Sequence, residues 1–213
     1  MNVNDYGAIA NDEIDDSQAI QKALNEAALD GGVCIIPAGK YRLNKELVVP
    51  KGVTLKGSSE VTPHPFTPVA SVLNIYAGKG DVNAASAITL KWNASVKNMI
   101  INYPEQQLPN IIPYPWTIQI DGQMCQVLDV TMTNPYMAID AGSKSNELHF
   151  IRNVYACPLK IGVYVDQCTD VGRLENVHFN PNFWKRSTLK SELPEIPEGY
   201  NGGREGFLNE FIA

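Results

Sequence analysis

Between residues 166 and 178 the chain gathers Asp166, Asp170, Arg173, Glu175 and His178, the densest set of ionisable groups in the sequence. Carboxylates and a histidine in so short a stretch suit acid–base chemistry. Glycoside hydrolysis needs two carboxyl groups facing one bond, one protonated as the acid and the other a base or nucleophile. Asp166 or Asp170 with Glu175 supplies such a pair, and His178 can tune or replace one member. Elimination asks instead for a base, with Ca²⁺ on carboxylates to acidify the proton beside a uronic carboxylate. Arg173 or Arg152 with Asp166 and Asp170 is the corresponding set. Arg152, Tyr155, Arg173 and Trp116 are the candidate substrate-binding residues, charges for polar groups and rings for sugar faces. Outward charges on a repeat are also what a solvated face looks like, and Arg173 with Asp170 reads equally as a turn pair. No cofactor or metal is expected, Ca²⁺ entering only if the reaction is elimination.

These residues sit on a repeated unit. It reads Val96-Lys97-Asn98-Met99-Ile100-Ile101, Val127-Leu128-Asp129-Val130-Thr131-Met132, Ile151-Arg152-Asn153-Val154-Tyr155-Ala156 and Leu174-Glu175-Asn176-Val177-His178-Phe179. Each copy is followed within a few positions by a proline, Pro104, Pro135, Pro158 and Pro181. A shorter strand signal precedes each copy: Ile88-Thr89-Leu90, Ile118-Gln119-Ile120, Ile139-Asp140 and Val163-Tyr164-Val165. A period of 24 and then 23 residues, once an insertion around 105 to 116 is passed, means stacked coils. Alternation of apolar and polar positions turns one face of each strand inward. Stacking then predicts two outward columns, Lys97, Leu128, Arg152, Glu175 and Ile100, Thr131, Tyr155, His178. Asn and Asp are depleted in ordinary strands but tolerate the left-handed conformation, so Asn98, Asp129, Asn153 and Asn176 are read as a corner ladder.

Length and charge narrow the class. The chain has 213 residues, 44% of them hydrophobic, which allows one elongated domain, or at most two, with a filled core. A net charge of -6 and a pI near 5.1 argue against nucleic acid as a partner. No apolar run spans a bilayer and no signal peptide is visible, so no membrane partner is expected. Cys34, Cys125, Cys157 and Cys168 lack metal-type spacing and read as small buried hydrophobes.

At the front, Asn2 to Ala8 reads as a short strand ending at Gly7. Ile20, Ala23, Leu24, Ala27 and Ala28 recur at helical spacing after Asp15-Asp16-Ser17, and Gly31-Gly32 stops the helix. A helix at about 16–30 would cover the open end of the coil, whose strand edges otherwise recruit other chains. Short strands follow at Val33 to Ile36, Tyr41 to Leu43, Leu47 to Val49 and Val53 to Lys56. Together Asn2-Val3-Asn4-Asp5-Tyr6-Gly7-Ala8, Asp15 to Leu24, Gly31 to Tyr41 and Gly52-Val53-Thr54-Leu55-Lys56-Gly57 resemble the N-terminal signature of the pectate lyase superfamily domain, which rhamnogalacturonase-like and polygalacturonase-like enzymes share with exo-glucanases and some phage tailspikes. The resemblance implies an all-β, right-handed, single-stranded parallel β-helix of the pectin lyase type, with the helix as its cap. It also implies a polysaccharide partner, in the extracellular or periplasmic space, met by hydrolysis, elimination or plain binding. The expectation taken forward is a glycoside hydrolase of the rhamnogalacturonase or polygalacturonase type, the rivals being a lyase and a non-catalytic tailspike-like β-helix. The paired-Asp and Gly-His-Gly signatures of polygalacturonases are absent, so no residue role carries over from them.

The remaining segments are connections. Ser58 to Gly80, with His64 and Pro68, reads as a loop in which His64 is solvated. The excursion from Pro104 to Pro115 carries Tyr103 and Tyr114 at its ends; they either meet sugars or pack the loop onto the coil. Asn93-Ala94-Ser95 matches a glycosylation acceptor. The expected division is a β-helix over 1–181 and an irregular tail or start of a further insertion over 182–213, with Pro197, Tyr200 to Gly203 and a short helical pattern from Glu205 to Ile212. The tail repeats no rung, which suggests the N-terminal portion of a longer protein.

Overall fold

A computed structural model describes residues 1–66 and 69–189. Pro68 and the tail features from Lys190 onward lie outside the described residues. After a 3-10 turn over Val3–Tyr6, the elements are α1 (Ser17–Ala27), β1 (Val33–Ile35), β2 (Gly39–Leu43), β3 (Leu47–Val49), β4 (Thr54–Lys56), β5 (Ser71–Ile75), β6 (Ile88–Lys91) and β7 (Ser95–Asn102). They continue with β8 (Trp116–Asp121), β9 (Gln126–Met132), β10 (Met137–Ala141), β11 (Phe150–Ala156), β12 (Ile161–Val165), β13 (Arg173–Phe179) and α2 (Asn182–Lys185).

Every strand pairing is parallel. One sheet runs β1-β4-β7-β9-β11-β13, with β2 and β5 joined alongside β7, and the other runs β12-β10-β8-β6-β3. Successive strands of a sheet are one coil apart in sequence, which is the order of a right-handed parallel β-helix. In the first two coils the long face is built from separate strands, β1 with β2 and β4 with β5. From β7 onward it is one strand bent at its middle: Thr54 to Lys56 pair with Ser95 to Lys97, while Val72 to Asn74 pair with Ile100 to Asn102.

The bend is the corner ladder. Asn98, Asp129, Asn153 and Asn176 have φ of 63°, 56°, 53° and 51°, the left-handed region that Asn and Asp tolerate better than other side chains. Their side chains join hands along the axis: Asn176 Nδ2 donates to Asn153 Oδ1 and Asn153 Nδ2 to Asp129 Oδ1, each at 2.8 Å. One coil earlier the position is Gly57, where a Cβ would lie 2.1 Å from the Asn98 carbonyl oxygen, so the backbone itself fills the corner.

Inward columns form the core. Val96, Val127 and Ile151 stack in register, as do Met99, Val130 and Val154, all fully buried. α1 lays Ile20, Ala23, Leu24 and Ala27 against the first coil. Its acids do not cap it in the expected way. Asp16 accepts from the Ile9 and Arg42 amides, each at 2.9 Å, and Asp15 Oδ1 accepts from the Ser17 hydroxyl at 2.5 Å and from the Asn44 amide at 3.1 Å, so both staple the helix to the coil. The stretch read as a strand at Asn2 to Ala8 is instead the 3-10 turn, ended at Gly7 with φ 104°, and only Asn2 bridges to Ile35.

Tyr103 and Tyr114 are fully buried and meet edge to face at 4.7 Å, so they pack the excursion onto the coil. Cys34, Cys125 and Cys157 are buried, Cys168 is half-buried, and all four are free. Among the described residues no helix is long and apolar enough to cross a membrane.

Candidate functional site

The expected columns exist in the strand register. Lys97, Leu128, Arg152 and Glu175 align across β7, β9, β11 and β13, and so do Ile100, Thr131, Tyr155 and His178. Neighbouring strands stand about 4.8 Å apart. Arg152 therefore has Glu175 beside it, and Tyr155 has His178.

The second column is not uniformly wet. Ile100 and Thr131 are buried, because the loop after β4 and the segment around α2 cross over them. Ile100 packs with Val72, Ala70 and Leu189, and the Thr131 hydroxyl donates to the Pro63 carbonyl. The two covering segments are laced together where the Thr188 amide donates to the Pro65 carbonyl at 3.0 Å. Phe183 of α2 stacks parallel to Tyr155 with centroids 5.4 Å apart and meets His178 edge-on at the same distance. His64 is exposed, as a loop residue should be, yet its ring rests edge-on against Phe66 at 3.9 Å. Partial desolvation of the ring lowers its pKa, so it resists taking a proton.

Beside this cover a groove of about 460 Å³ opens along the ladder, lined by Glu60, Val61, Thr62, Asp129, Arg152, Asn153 and Tyr155. One wall is the loop after β4 and the other is the bend of β9 and β11. Asp129 Oδ1 accepts from Asn153 Nδ2 and, at 3.2 Å, from Thr62 Oγ1. Glu60 is paired with Lys56 at 2.8 Å, and that hydrogen bond, with the charges of Lys56 and Lys97, holds its carboxyl below the ordinary value. Glu60 is therefore an ionised group, suited to accepting hydroxyl hydrogen bonds and not to donating a proton. Arg152 has its guanidinium 5.3 Å from the Phe150 ring, and its buried Nε has no hydrogen-bond partner among the described residues. Among the described residues it joins no ion pair, even with Glu175 adjacent.

The other expected residues fall in two further places. Asp166 and Asp170 occupy the turn between β12 and β13, both exposed; Asp166 Oδ2 accepts from the Tyr164 hydroxyl at 3.1 Å and Asp170 Oδ1 from the Val171 amide at 2.7 Å. Arg173 opens β13 and is exposed. Trp116 begins β8 in the other sheet, 6.4 Å from the Tyr164 ring and close to parallel with it. Arg152, Tyr155, Glu175 and His178 thus share one face. Trp116 stands on another, and none of Asp166, Asp170 and Arg173 lines the groove. Glu60, Thr62 and Asp129 were not expected. Asp129 carried a signal, the one charged member of the ladder, while Glu60 and Thr62 belong to a loop with no periodicity to place it. No group of three or more acids, cysteines or histidines among the described residues is set to hold a metal ion.

Bent parallel strands, a polar corner ladder and a capping helix define a pectin lyase-like β-helix. Residues 1–184 match the family of rhamnogalacturonase A and epimerase, pectate lyase-like, and the chain belongs to that family. Several solved structures are similar to the chain. The A-module of mannuronan C-5 epimerase AlgE4 from Azotobacter vinelandii is 16% identical, covering 78% of this chain and 51% of its own, with a TM-score of 0.39. A candidate glycosyl hydrolase from Parabacteroides merdae is 14% identical over 91% of this chain and 95% of its own, at 0.46. The surface adhesin PfbA of Streptococcus pneumoniae is 17% identical over 73% and 52%, at 0.43. The chain spans about half the length of the epimerase and adhesin structures. No curated protein sequence matches it.

Proposed function

We propose that this protein acts on polysaccharide outside the cell, in the extracellular or periplasmic space, and that its reaction is glycoside hydrolysis on the outer face of β11 and β13. The observation that carries the reading is the shared face: Arg152 beside Glu175, Tyr155 beside His178, and the ladder groove opening next to them. Arg152 holds a polar group of the chain, and Tyr155 offers its ring edge and hydroxyl. Glu175 is exposed and serves as one carboxylate of the pair, with His178 as proton carrier. Asp129, on the groove wall, is the partner nearest to Arg152 in the ladder; Asp166 and Asp170 are the partners if substrate extends over the head of β13.

A second reading, binding without chemistry, is favoured by one observation. Glu60 is held ionised and Asp129 already serves the ladder, so both groove carboxylates have structural duties. Product release from acidic and neutral polysaccharides, with and without Ca²⁺, separates the readings. Hydrolysis gives reducing ends without the absorbance of unsaturated uronates, and Glu175→Gln abolishes it. Both signals together indicate elimination. Retention on a glycan with no product establishes binding alone.

A further inference from the structure

We propose that the ladder groove is a subsite for a negatively charged sugar, with Arg152 as the receptor of its anionic group and Asp129, Thr62 and Asn153 as partners of its hydroxyls. The inference rests on the polysaccharide reading and adds a place and a ligand class to it. Arg152 is the anomaly from which it starts. A guanidinium has five N–H donors in a planar fork, and one that is partly buried is normally met by a carboxylate or by carbonyls. Here Nε is out of reach of water, no hydrogen bond or ion pair among the described residues satisfies the group, and the side chain lines a groove of about 460 Å³. Leaving a donor on a charged group unpaired is costly, and a bound anion would offset that cost.

The charges around it say what kind of anion. Glu175 is next to Arg152 in the register and makes no ion pair with it, so the fork remains available. Glu60 is turned to Lys56. Asp129 presents one oxygen to the ladder and to Thr62, and would repel a bare inorganic anion close to it. A ligand that carries one anionic group among several hydroxyls avoids that repulsion, because it can donate to Asp129 while the fork takes its charge. A sugar bearing a carboxylate or a sulfate ester has this constitution. Tyr155 stacks on Phe183, so it closes one side of the groove with its edge and hydroxyl and does not offer an open ring face. The subsite selects by charge and hydroxyl pattern more than by stacking.

The test is titration calorimetry of the full chain with three oligosaccharide sets: oligouronates, their carboxyl-reduced neutral counterparts, and sulfated neutral oligosaccharides. Arg152-dependent binding of either acidic set supports the inference, and the set that binds says which anionic group is read. Arg152→Gln should weaken it at least tenfold, and Arg152→Lys, which keeps the charge but not the fork, should weaken it less. Thermal melting of both variants checks that the fold is kept. Equal affinity for the neutral and acidic sets, or binding unchanged in Arg152→Gln, overturns this subsite while leaving a glycan-binding protein. Absence of binding to every set overturns the polysaccharide reading as well.

Discussion

The two ends of the coil are written in the same apolar grammar and meet opposite fates. At the front, α1 covers the first coil, and Ile20, Leu24, Cys34 and Leu55 have no exposure at all. At the last described rung the inward positions continue as Leu174, Phe179 and Val165, and these are 44%, 39% and 48% exposed. The pattern in a strand says which way a side chain points; whether it leaves water depends on what stands on the next rung. The groove lies on β9 and β11, whose inward residues are fully buried, while the column residues Glu175 and His178 stand on the exposed rung of β13. The proposed site thus spans the step from insulated rungs to one that the described residues leave exposed.

Substitution along one inward column should expose that difference most strongly. Ile151 and Leu174 are register partners, one fully buried and the other 44% exposed. Ile151→Ala should cost about 2–5 kcal/mol in urea unfolding, the price of a cavity under a buried branched residue. Leu174→Ala should cost about 1 kcal/mol, because much of its surface is already hydrated. Equal losses would show that the last rung is covered in solution and would remove the contrast between the ends.

The corner ladder gives a finer comparison. Asn153 is bonded on both sides, to Asp129 and to Asn176, whereas the described partners of Asn176 lie on one side only. Asn153→Ala removes two side-chain bonds, each worth about 0.5–1.5 kcal/mol net. It also leaves a Cβ residue at φ 53°, a further cost of roughly 1–2 kcal/mol relative to glycine. Asn153→Gly relieves the conformation and loses only the bonds, and Asn176→Ala should fall below Asn153→Ala. Chemical denaturation of the three variants orders the terms. A smaller loss for Asn153→Ala than for Asn176→Ala would mean that the ladder does not propagate along the axis.

Strand order, corner positions and both columns were legible in the sequence because a coil obliges each rung to repeat its neighbour. Asn98, Asp129, Asn153 and Asn176 could be recognised singly, without contacts, since few residues suit a left-handed bend inside an apolar strand. The groove was legible by half. Arg152 and Tyr155 lie on the repeat and could be placed, but Glu60 and Thr62 reach the site from a loop whose path is fixed by tertiary bonds such as Thr131 to Pro63 and Thr62 to Asp129. The same loop explains why Ile100 and Thr131 are dry: a column that periodicity turns outward can still be roofed by a distant segment. Trp116 was grouped with the sugar-binding residues by type, yet a strand in the other sheet carries it. Residue type alone does not say which face of the coil a side chain serves.

The cysteines probe the two ends with the least perturbation. Burial pushes the Cys34 and Cys125 thiols up to about 11, and Cys157 is raised as well, whereas Cys168 lies half-buried in the turn before β13. The thiolate is the reacting species, so at pH 8 only about one in a thousand Cys34 thiols is ionised even when reagent can reach it. The native protein should therefore release one fast equivalent with a disulfide reagent at pH 8, lost in Cys168→Ser, and four in denaturant. The sign of the linkage follows from the same shift. Folding favours the neutral thiol, so Cys34 and Cys125 add stability that is fully present below the ordinary value of 9.0 and is withdrawn as pH rises from there towards about 11. Cys34→Ala and Cys125→Ala should each flatten the alkaline fall in melting temperature. A second fast thiol at pH 8, assigned by mass spectrometry to Cys34, would mean that the helix-covered end opens as readily as the turn that carries Cys168.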